Sequence, residues 1–231
     1  MNIYADRGNL LVLERRCLWR GIGFQLSSSG LGEPLDGSAY DLFYLGGGQD
    51  RDQLLCAADL VRTKQAALHG AAGRGAVILG VCGGYQLLGH SYALGDQEIP
   101  GIGLVDAHTV RGEGKRLTGN VAIEVDLDGT GERRVLAGFE NHGGRTHLAK
   151  HEQPLGRVLA GHGNDGTSGY EGVRRENVIG TYLHGPLLPK NVWFADWLIA
   201  TAIGLGQEDL SGLDDSLERL AHTDAFKAAG A

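Results

Sequence analysis

The chain has 231 residues, enough for one domain with a sizeable core, and its net charge of -7 argues against a broad nucleic-acid surface. Its cysteines, Cys17, Cys56 and Cys82, lack metal-ligand spacing and cannot all pair, which favours a reducing cytosol. No signal peptide opens the sequence. The longest apolar run, from Val192 to Gly204, is broken by Asp196 and is too short to span a bilayer.

The first part of the chain predicts helices and strands in alternation. Asn9 is suited to cap a helix from Leu10 to Arg20. A weak strand signal follows from Phe24 to Leu26, and a stronger one from Tyr40 to Leu45. A further helix is predicted from its cap, Asp50, to about Gly70.

A cysteine at the end of a buried strand gives the strongest chemical signal. The apolar run from Ala76 to Val81 is typical of a strand buried on both faces of a parallel sheet. Cys82 follows, with Gly80 and Gly84 two residues to either side, as in a cysteine form of the nucleophile elbow. The helix predicted from Gly83 to about Gly89 would favour the thiolate. A buried structural cysteine is the alternative, but the order of strand, elbow and helix favours a nucleophile.

A triple glycine follows the strand that ends at Leu45. It lacks the spacing of a dinucleotide fingerprint and the lysine of a P-loop, so we predict backbone donors beside the elbow instead of a phosphate site. An N–H of Gly47 or Gly48, together with that of Gly83, would form an oxyanion hole. A simple turn is the alternative.

The middle of the chain has a different pattern. Tyr92 to Gly103 is predicted as a loop with a turn at Pro100. The alternation from Leu117 to Leu127, followed by a turn and by Val135 to Phe139, predicts an antiparallel hairpin. The segment from Gly138 to Thr146 is rich in polar groups that suit a small zwitterion, with an ordinary polar loop as the alternative. No role is assigned to three isolated histidines, His147, His151 and His162.

A second strand delivers a histidine that could pair with the cysteine. The strand predicted from Asn177 to Leu183 leads into His184, which is remote from Cys82 in sequence but can be adjacent to it in space. We therefore predict that His184 is the general base. Asn191 is suited to cap the next helix, and a weakly amphipathic helix is predicted from Asp214 to Phe226.

Together these signals predict an α/β fold with a mostly parallel sheet, flanking helices and a small antiparallel insertion. We expect a single domain over 1–231, with the insertion at about 104–172 and C-terminal helices at about 191–226.

The chain resembles the class I glutamine amidotransferases of the cobyric-acid-synthase-like type, which have a flavodoxin-like fold. The resemblance rests on five blocks, namely GGGQDR at 46–51, GVCGGYQ at 80–86, RLTG at 116–119, GFENHGGRT at 138–146 and GTYLHGP at 180–186. The elbow alone marks the superfamily, and the last two blocks are the specific part.

The resemblance extends to subunits that work beside a separate Mur-ligase-like synthetase. It implies that this chain hydrolyses L-glutamine to glutamate and ammonia through a cysteine thioester, with no cofactor or metal of its own. The synthetase would form a heterodimer with it and use ATP and Mg²⁺ to activate the D-glutamate α-carboxyl of the lipid II stem peptide, which ammonia then amidates. The implied location is the cytoplasm, or the inner membrane face reached through the complex.

The resemblance also implies roles for particular residues. Cys82 is the nucleophile and His184 the base. Arg116 binds glutamine, with Arg145 in reserve. The remaining residues line the glutamine pocket or lie near it: Gln86, Asn141, His142 and Gly143.

Two departures from the family pattern stand out. Family members usually carry a further segment, with a first strand, before the equivalent of Asn2, so we expect either a sheet one strand short or a mis-assigned start. Many class I enzymes place a glutamate two residues after the catalytic histidine, where this chain has Pro186. The third catalytic group is then absent, is Glu140, or is supplied by the synthetase, and we favour the synthetase.

Three other functions stay open at this point. A Cys–His hydrolase of the dienelactone type shares the elbow, but usually has an aspartate between the nucleophile and the histidine. A non-catalytic scaffold subunit would not need Cys82 or His184. An amidotransferase for a cobalamin precursor would normally be fused to its synthetase.

Overall fold

The computed structural model describes residues 6–48, 50–94 and 96–230. The helices are α1 (Asp6–Trp19), α2 (Asp50–Asp59), α3 (Gln65–Gly73), α4 (Gly83–Leu88), α5 (Leu187–Lys190), α6 (Val192–Ala202) and α7 (Ser216–Ala229), with a π-helical turn at Leu60–Lys64 and a 3-10 turn at Gln207–Asp209. The strands are β1 (Leu42–Leu45), β2 (Val77–Val81), β3 (Ser91–Leu94), β4 (Gln97–Pro100), β5 (Ala107–Arg111), β6 (Leu117–Val125), β7 (Arg134–His142), β8 (Gly144–Leu148), β9 (Gly156–Ala160), β10 (Tyr170–Glu171), β11 (Val173–Arg175) and β12 (Val178–Thr181).

A sheet with the order β1-β2-β12-β11 positions the predicted nucleophile and base. Its strands β1, β2 and β12 are parallel, and β11 is antiparallel to β12 at the edge. All residues of β2 are buried. Leu79 packs in a cluster with Phe194 and Leu198 of α6, whereas Ile78 packs in another with Leu68 of α3 and Tyr85 of α4. The prediction of a strand covered on both faces is confirmed.

Two further sheets carry the antiparallel strands. One has the order β10-β9-β6-β7 and the other the order β4-β3-β5-β8, in which β3 and β5 are parallel. The hairpin β6–β7 extends to His142, so the polar segment 138–146 lies mostly in β7 and β8 and not in a loop. The domain limits 1–231, 104–172 and 191–226 stay predictions.

Two of the predicted elements are wrong. Phe24 to Leu26 is coil, because among the described residues β1 pairs only with β2 and leaves this segment no strand partner. The predicted loop from Tyr92 to Gly103 contains the hairpin β3–β4, and Pro100 is tolerated there because β4 is an edge strand.

The two asparagines predicted as helix caps bind elsewhere. Asn9 lies inside α1, where its side chain donates to the hydroxyl of Tyr44 at 2.9 Å and accepts from the backbone N–H of Leu188 at 2.8 Å. Asn191 does precede α6, but its side chain pairs with the backbone N–H and C=O of Ala137 in β7. Both buried amides therefore join elements instead of capping helices. The side chain of Asp50, the third predicted cap, lies outside the described part.

A buried ion pair fixes α1 against the C-terminal helices. Arg16, which is 1% exposed, binds both oxygens of Asp196 and also pairs with Asp215. Loss of one partner from such a buried pair leaves an uncompensated charge. Within the described residues, no helix is long and apolar enough to cross a membrane.

Candidate active site

The turn after β2 has the geometry of a nucleophile elbow. Cys82 has φ 54° and ψ -110°, a positive φ that costs free energy for any residue with a Cβ atom. A Cβ atom on Gly84 would lie 2.0 Å from the backbone oxygen of Leu45, and one on Gly80 would lie 2.7 Å from Leu88. The glycines therefore allow the close approach that holds the strained cysteine at the start of α4.

The glycine loop after β1 lies beside this elbow. A Cβ atom built on Gly83 would be 3.2 Å from the backbone nitrogen of Gly48, which brings the two predicted oxyanion donors together. Gly47 is buried directly before Gly48. The assignment of these N–H groups to an oxyanion hole stays a prediction that this placement supports.

His184 reaches the same edge of the sheet as Cys82. Strands β2 and β12 are parallel neighbours with Val81 opposite Thr181, and the backbone N–H of Cys82 donates to the oxygen of Thr181 at 2.8 Å. Cys82 follows β2 directly, and His184 lies three residues beyond the end of β12. The His184 backbone also forms an antiparallel bridge with Phe139, whose ring meets the imidazole edge-on.

The environment of His184 keeps its ring neutral. Burial first, and then the proximity of His142, Lys190 and Arg116, lower the pKa of His184 to about 4. At neutral pH this imidazole is unprotonated and can accept the proton of a thiol.

Gln86 and His142 lie in a buried polar layer beside the elbow. The Gln86 amide accepts from Gln53 at 2.6 Å and donates to the hydroxyl of Tyr182 at 3.1 Å. His142 stacks on the ring of Tyr182, and its Nδ1 lies 2.8 Å from the backbone oxygen of Gly144. Both side chains are nearly inaccessible to solvent, so this geometry suits support of the site more than direct contact with substrate.

Arg116 lies with two other predicted pocket residues at the end of β6–β7. Its Nε donates to the side-chain oxygen of Asn141 at 2.8 Å, and Nη2 donates to the Asn141 backbone oxygen at 2.7 Å. A Cβ atom on Gly143 would lie 3.4 Å from Nη1 of Arg116. Arg145, by contrast, donates to three backbone oxygens, those of Lys115, Gly143 and Gly144.

We expect Arg116→Ala to raise the KM for glutamine by roughly tenfold or more with a small effect on kcat, because a guanidinium can hold the α-carboxylate with charge-assisted hydrogen bonds. Steady-state kinetics over a range of glutamine concentrations measure both constants. Arg133→Ala is the matched control, since Arg133 is exposed in the loop before β7 and pairs with Glu124 of β6. An unchanged KM in Arg116→Ala would move this role to Arg145 or to the backbone.

Glu140 is engaged by the segment after β9. Its carboxylate accepts from the backbone N–H of His162 at 2.7 Å and from that of Gly163 at 3.0 Å, and its Oε1 lies 2.7 Å from Nδ1 of His162. His142 lies 3.8 Å from the other oxygen. Burial raises the pKa of the Glu140 carboxyl, but contacts with the two imidazoles and the backbone outweigh burial and bring this pKa below its ordinary value. Sequence reasoning gave no role to His162.

A second buried carboxyl, Glu171, lies beside the end of β12. The sequence analysis did not identify it as a notable residue. It accepts from the backbone N–H of Tyr182 at 2.6 Å and from the hydroxyl of Thr181 at 3.0 Å. Burial raises the pKa of Glu171 from 4.5 to about 8. It lies next to the strand that carries His184, where a proton on this carboxyl avoids a buried charge.

Glu171→Gln will be more stable relative to the wild type at pH 8 than at pH 5. The reason is that glutamine keeps a hydrogen-bond acceptor and does not ionise. The folded chain holds a proton on Glu171 that the unfolded chain releases above 4.5, so this group's contribution to stability falls as pH rises from 4.5 to about 8. Over this range the wild type loses on the order of 3 kcal/mol of unfolding free energy through Glu171, and the variant does not. Thermal unfolding of both proteins across this pH range tests it. A stability difference that does not change with pH would contradict it.

The α/β fold and the elbow define a cysteine-nucleophile enzyme, and similarity to known proteins gives its class. The chain belongs to the CobB/CobQ-like glutamine amidotransferase family, whose domain model matches residues 1–192. It is therefore a glutamine-hydrolysing enzyme by class, which excludes the dienelactone-type hydrolase.

Named relatives lie in this family. The chain is 40% identical over 204 residues to the Staphylococcus aureus lipid II isoglutaminyl synthase (glutamine-hydrolyzing) subunit GatD, a match that covers 87% of this chain and 80% of the relative. The Streptococcus pneumoniae GatD is 37% identical over 205 residues, covering 88% of this chain and 76% of the relative. A Rhodobacter capsulatus cobyric acid synthase is 36% identical over 157 residues, which cover 64% of this chain and 30% of that protein.

Solved structures share the fold. PurLQS from Thermotoga maritima has a TM-score of 0.55 at 25% identity, covering 78% of this chain and 81% of the other. A Thermotoga maritima glutamine amidotransferase has a TM-score of 0.50 at 17% identity, covering 95% of this chain and 85% of the other, and shows the fold alone. The predicted α/β amidotransferase fold is confirmed.

Proposed function

We propose that this chain is the glutaminase subunit of a lipid II isoglutaminyl synthase. It hydrolyses L-glutamine to glutamate and ammonia, and the ammonia amidates the D-glutamate α-carboxyl of the peptidoglycan stem peptide. The observation that carries the proposal is the strained Cys82 at the start of α4, in a chain that is 40% identical to a GatD subunit over most of its length.

The arrangement supports the following reaction. His184, neutral at pH 7, accepts the Cys82 proton as the sulfur attacks the side-chain amide carbon of glutamine. Backbone N–H groups of Gly83 and of Gly47 or Gly48 stabilise the oxyanion. The protonated imidazole then gives its proton to the leaving nitrogen, so that ammonia departs and a glutamyl thioester forms. Water, activated by His184, attacks the thioester and releases glutamate.

The ligase reaction needs a second protein in this proposal. The partner is a Mur-ligase-like synthetase, MurT, that forms a heterodimer with this chain, holds ATP and Mg²⁺ and binds lipid II. Support comes from both GatD relatives, each of which is a subunit of a lipid II isoglutaminyl synthase. The glutaminase reaction of this chain uses no cofactor, and the complex works in the cytoplasm or at the inner membrane face.

A cobalamin precursor is the second acceptor to consider, because cobyric acid synthases are also relatives. Their match covers 30% of the Rhodobacter capsulatus protein, whereas the GatD match covers 80% of the Staphylococcus aureus subunit. The fuller and closer match favours lipid II. A non-catalytic scaffold would not need the strain at Cys82.

Isotope transfer tests the proposed function. The reaction mixture contains this chain, its synthetase partner, ATP, Mg²⁺, lipid II and glutamine labelled with ¹⁵N in the side-chain amide. After incubation, the lipid is analysed by mass spectrometry. We expect ¹⁵N in the stem peptide, and none when Cys82→Ala replaces the wild type. Unlabelled lipid alongside labelled ammonia would overturn the acceptor while leaving the glutaminase intact.

A further inference from the structure

A cluster of imidazoles and a carboxylate lies on the sheet β4-β3-β5-β8, and the glutaminase reaction does not use it. His90, Asp106 and His108 each offer one ligand atom, and these atoms lie within 4.8 Å of one another. His151 lies on the other side of Asp106, with its Nε2 3.4 Å from Oδ2 of the aspartate. Two imidazole nitrogens and one carboxylate oxygen can therefore reach one ion.

The pairing of β3 with β5 explains this convergence. Ser91, the first residue of β3, is opposite His108 of the parallel strand β5, so His90, which directly precedes β3, lies next to His108. Their rings stack with centroids 5.0 Å apart, and Nε2 of His90 lies 3.2 Å from Oδ1 of Asp106. Donors bound to one tetrahedral zinc ion at about 2.0–2.1 Å are roughly 3.3–3.4 Å apart, close to the 3.2 Å between His90 and Asp106, and the atom of His108 lies within 4.8 Å of both.

The backbone holds these residues in place. The His90 N–H donates to Ala107 at 2.8 Å, and the His90 carbonyl accepts from Gly101 at 2.8 Å. The Asp106 N–H donates to the buried Glu152, and the Asp106 carbonyl accepts from Ala149 at 2.9 Å. The two residues are therefore anchored before any ion binds, which lowers the entropy cost of ordering them around one.

The side chains remain open to solvent. His90 is 47% exposed, Asp106 is 35% exposed and His151 is 66% exposed, and a cleft at His90 and His108 is also lined by Glu98. An ion can reach the cluster without unfolding, and water or a further carboxylate can complete its coordination.

We propose that His90, Asp106 and His108 form a binding site for a divalent transition metal, with Zn²⁺ as the ion they suit best, while His151 pairs with the other oxygen of Asp106. Imidazole nitrogens with one carboxylate suit Zn²⁺, Cu²⁺ or Ni²⁺, whereas Ca²⁺ and Mg²⁺ require mostly oxygen ligands. The bound ion joins the start of β3 to β5. Because Thr109 of β5 bonds to Thr146 beside Tyr182, the ion also stiffens the sheet that backs the glutamine site.

Metal titration of the full chain, freed of any histidine tag, tests the site. Zn²⁺ alone is titrated into metal-free protein by calorimetry, and Co²⁺ is used as an absorbance probe of coordination. We expect about one equivalent to bind, and Tm to rise by roughly 5 °C or more at a metal concentration a hundredfold above Kd.

Variants distinguish this site from adventitious binding. His90→Ala and His108→Ala should each weaken Zn²⁺ binding at least tenfold, with His108→Gln as a second variant in case alanine disturbs β5. His69→Ala is the matched control and should bind as the wild type does, because His69 is an exposed histidine on α3, outside the cluster. Zn²⁺ binding that is absent from the wild type, or equally tight in His90→Ala and His108→Ala, would overturn the proposal.

Discussion

Replacing Cys82 with alanine, serine or glycine will reduce glutamine hydrolysis by roughly 10³-fold or more, because no other group at the elbow can form the thioester. Glutamate release measures the loss. Cys82→Gly will also be at least as stable as the wild type, since glycine adopts φ 54° without the cost that a Cβ atom imposes.

The other cysteines provide the controls for this experiment. Cys56 is half-buried on α2, and Cys56→Ser should retain full glutaminase activity. Circular dichroism and thermal unfolding establish that each variant is folded. Substantial hydrolysis by folded Cys82→Ala would remove Cys82 from the reaction.

Addition of the synthetase partner will raise glutaminase turnover by roughly a hundredfold, the range expected when a general base gains its orienting acid. The residue two places after His184 is Pro186, which has no carboxylate. Glu140 is already bound by His162 and Gly163. Glutamate release with and without the partner measures the effect, and full activity of the isolated chain would contradict it.

Glu140→Gln tests whether the third group lies within this chain instead. If the partner supplies the acid, the variant complex will keep nearly the wild-type rate. A large loss of kcat without loss of thermal stability would assign the role to Glu140. His162→Ala is a useful companion, because it removes one contact of the carboxylate while the carboxylate itself stays.

The elbow was predictable from the sequence because its determinants are local. A buried strand, Cys82 and two glycines within five residues specify both the strain and the close approach of Leu45. His184 needed one further step, the rule that parallel strands bring their carboxyl ends to one edge. The helices α1, α4, α6 and α7 follow from similarly local patterns.

The missed features depend on pairing between distant segments. The sequence pattern of Phe24 to Leu26 could not show that this segment is coil. Whether it forms a strand depends on a pairing partner beside β1, and the described residues provide none. The contact between Glu140 and His162 requires β7 to lie next to the end of β9. The burial of Glu171 requires β12 and the residue after it to pack against this carboxyl. His90 and His108 come together through the parallel pairing of β3 and β5, in a segment partly predicted as a loop.

Labelling by diazo-oxo-norleucine, an electrophilic glutamine analogue, tests whether Cys82 is the nucleophile that attacks glutamine. The protein is incubated with the reagent, digested and mapped by mass spectrometry, with excess glutamine as competitor. We expect stoichiometric labelling of Cys82, protection by glutamine, and no labelling of Cys17 or Cys56. Preferential labelling of either other cysteine, or labelling of Cys82 that glutamine does not slow, would contradict it.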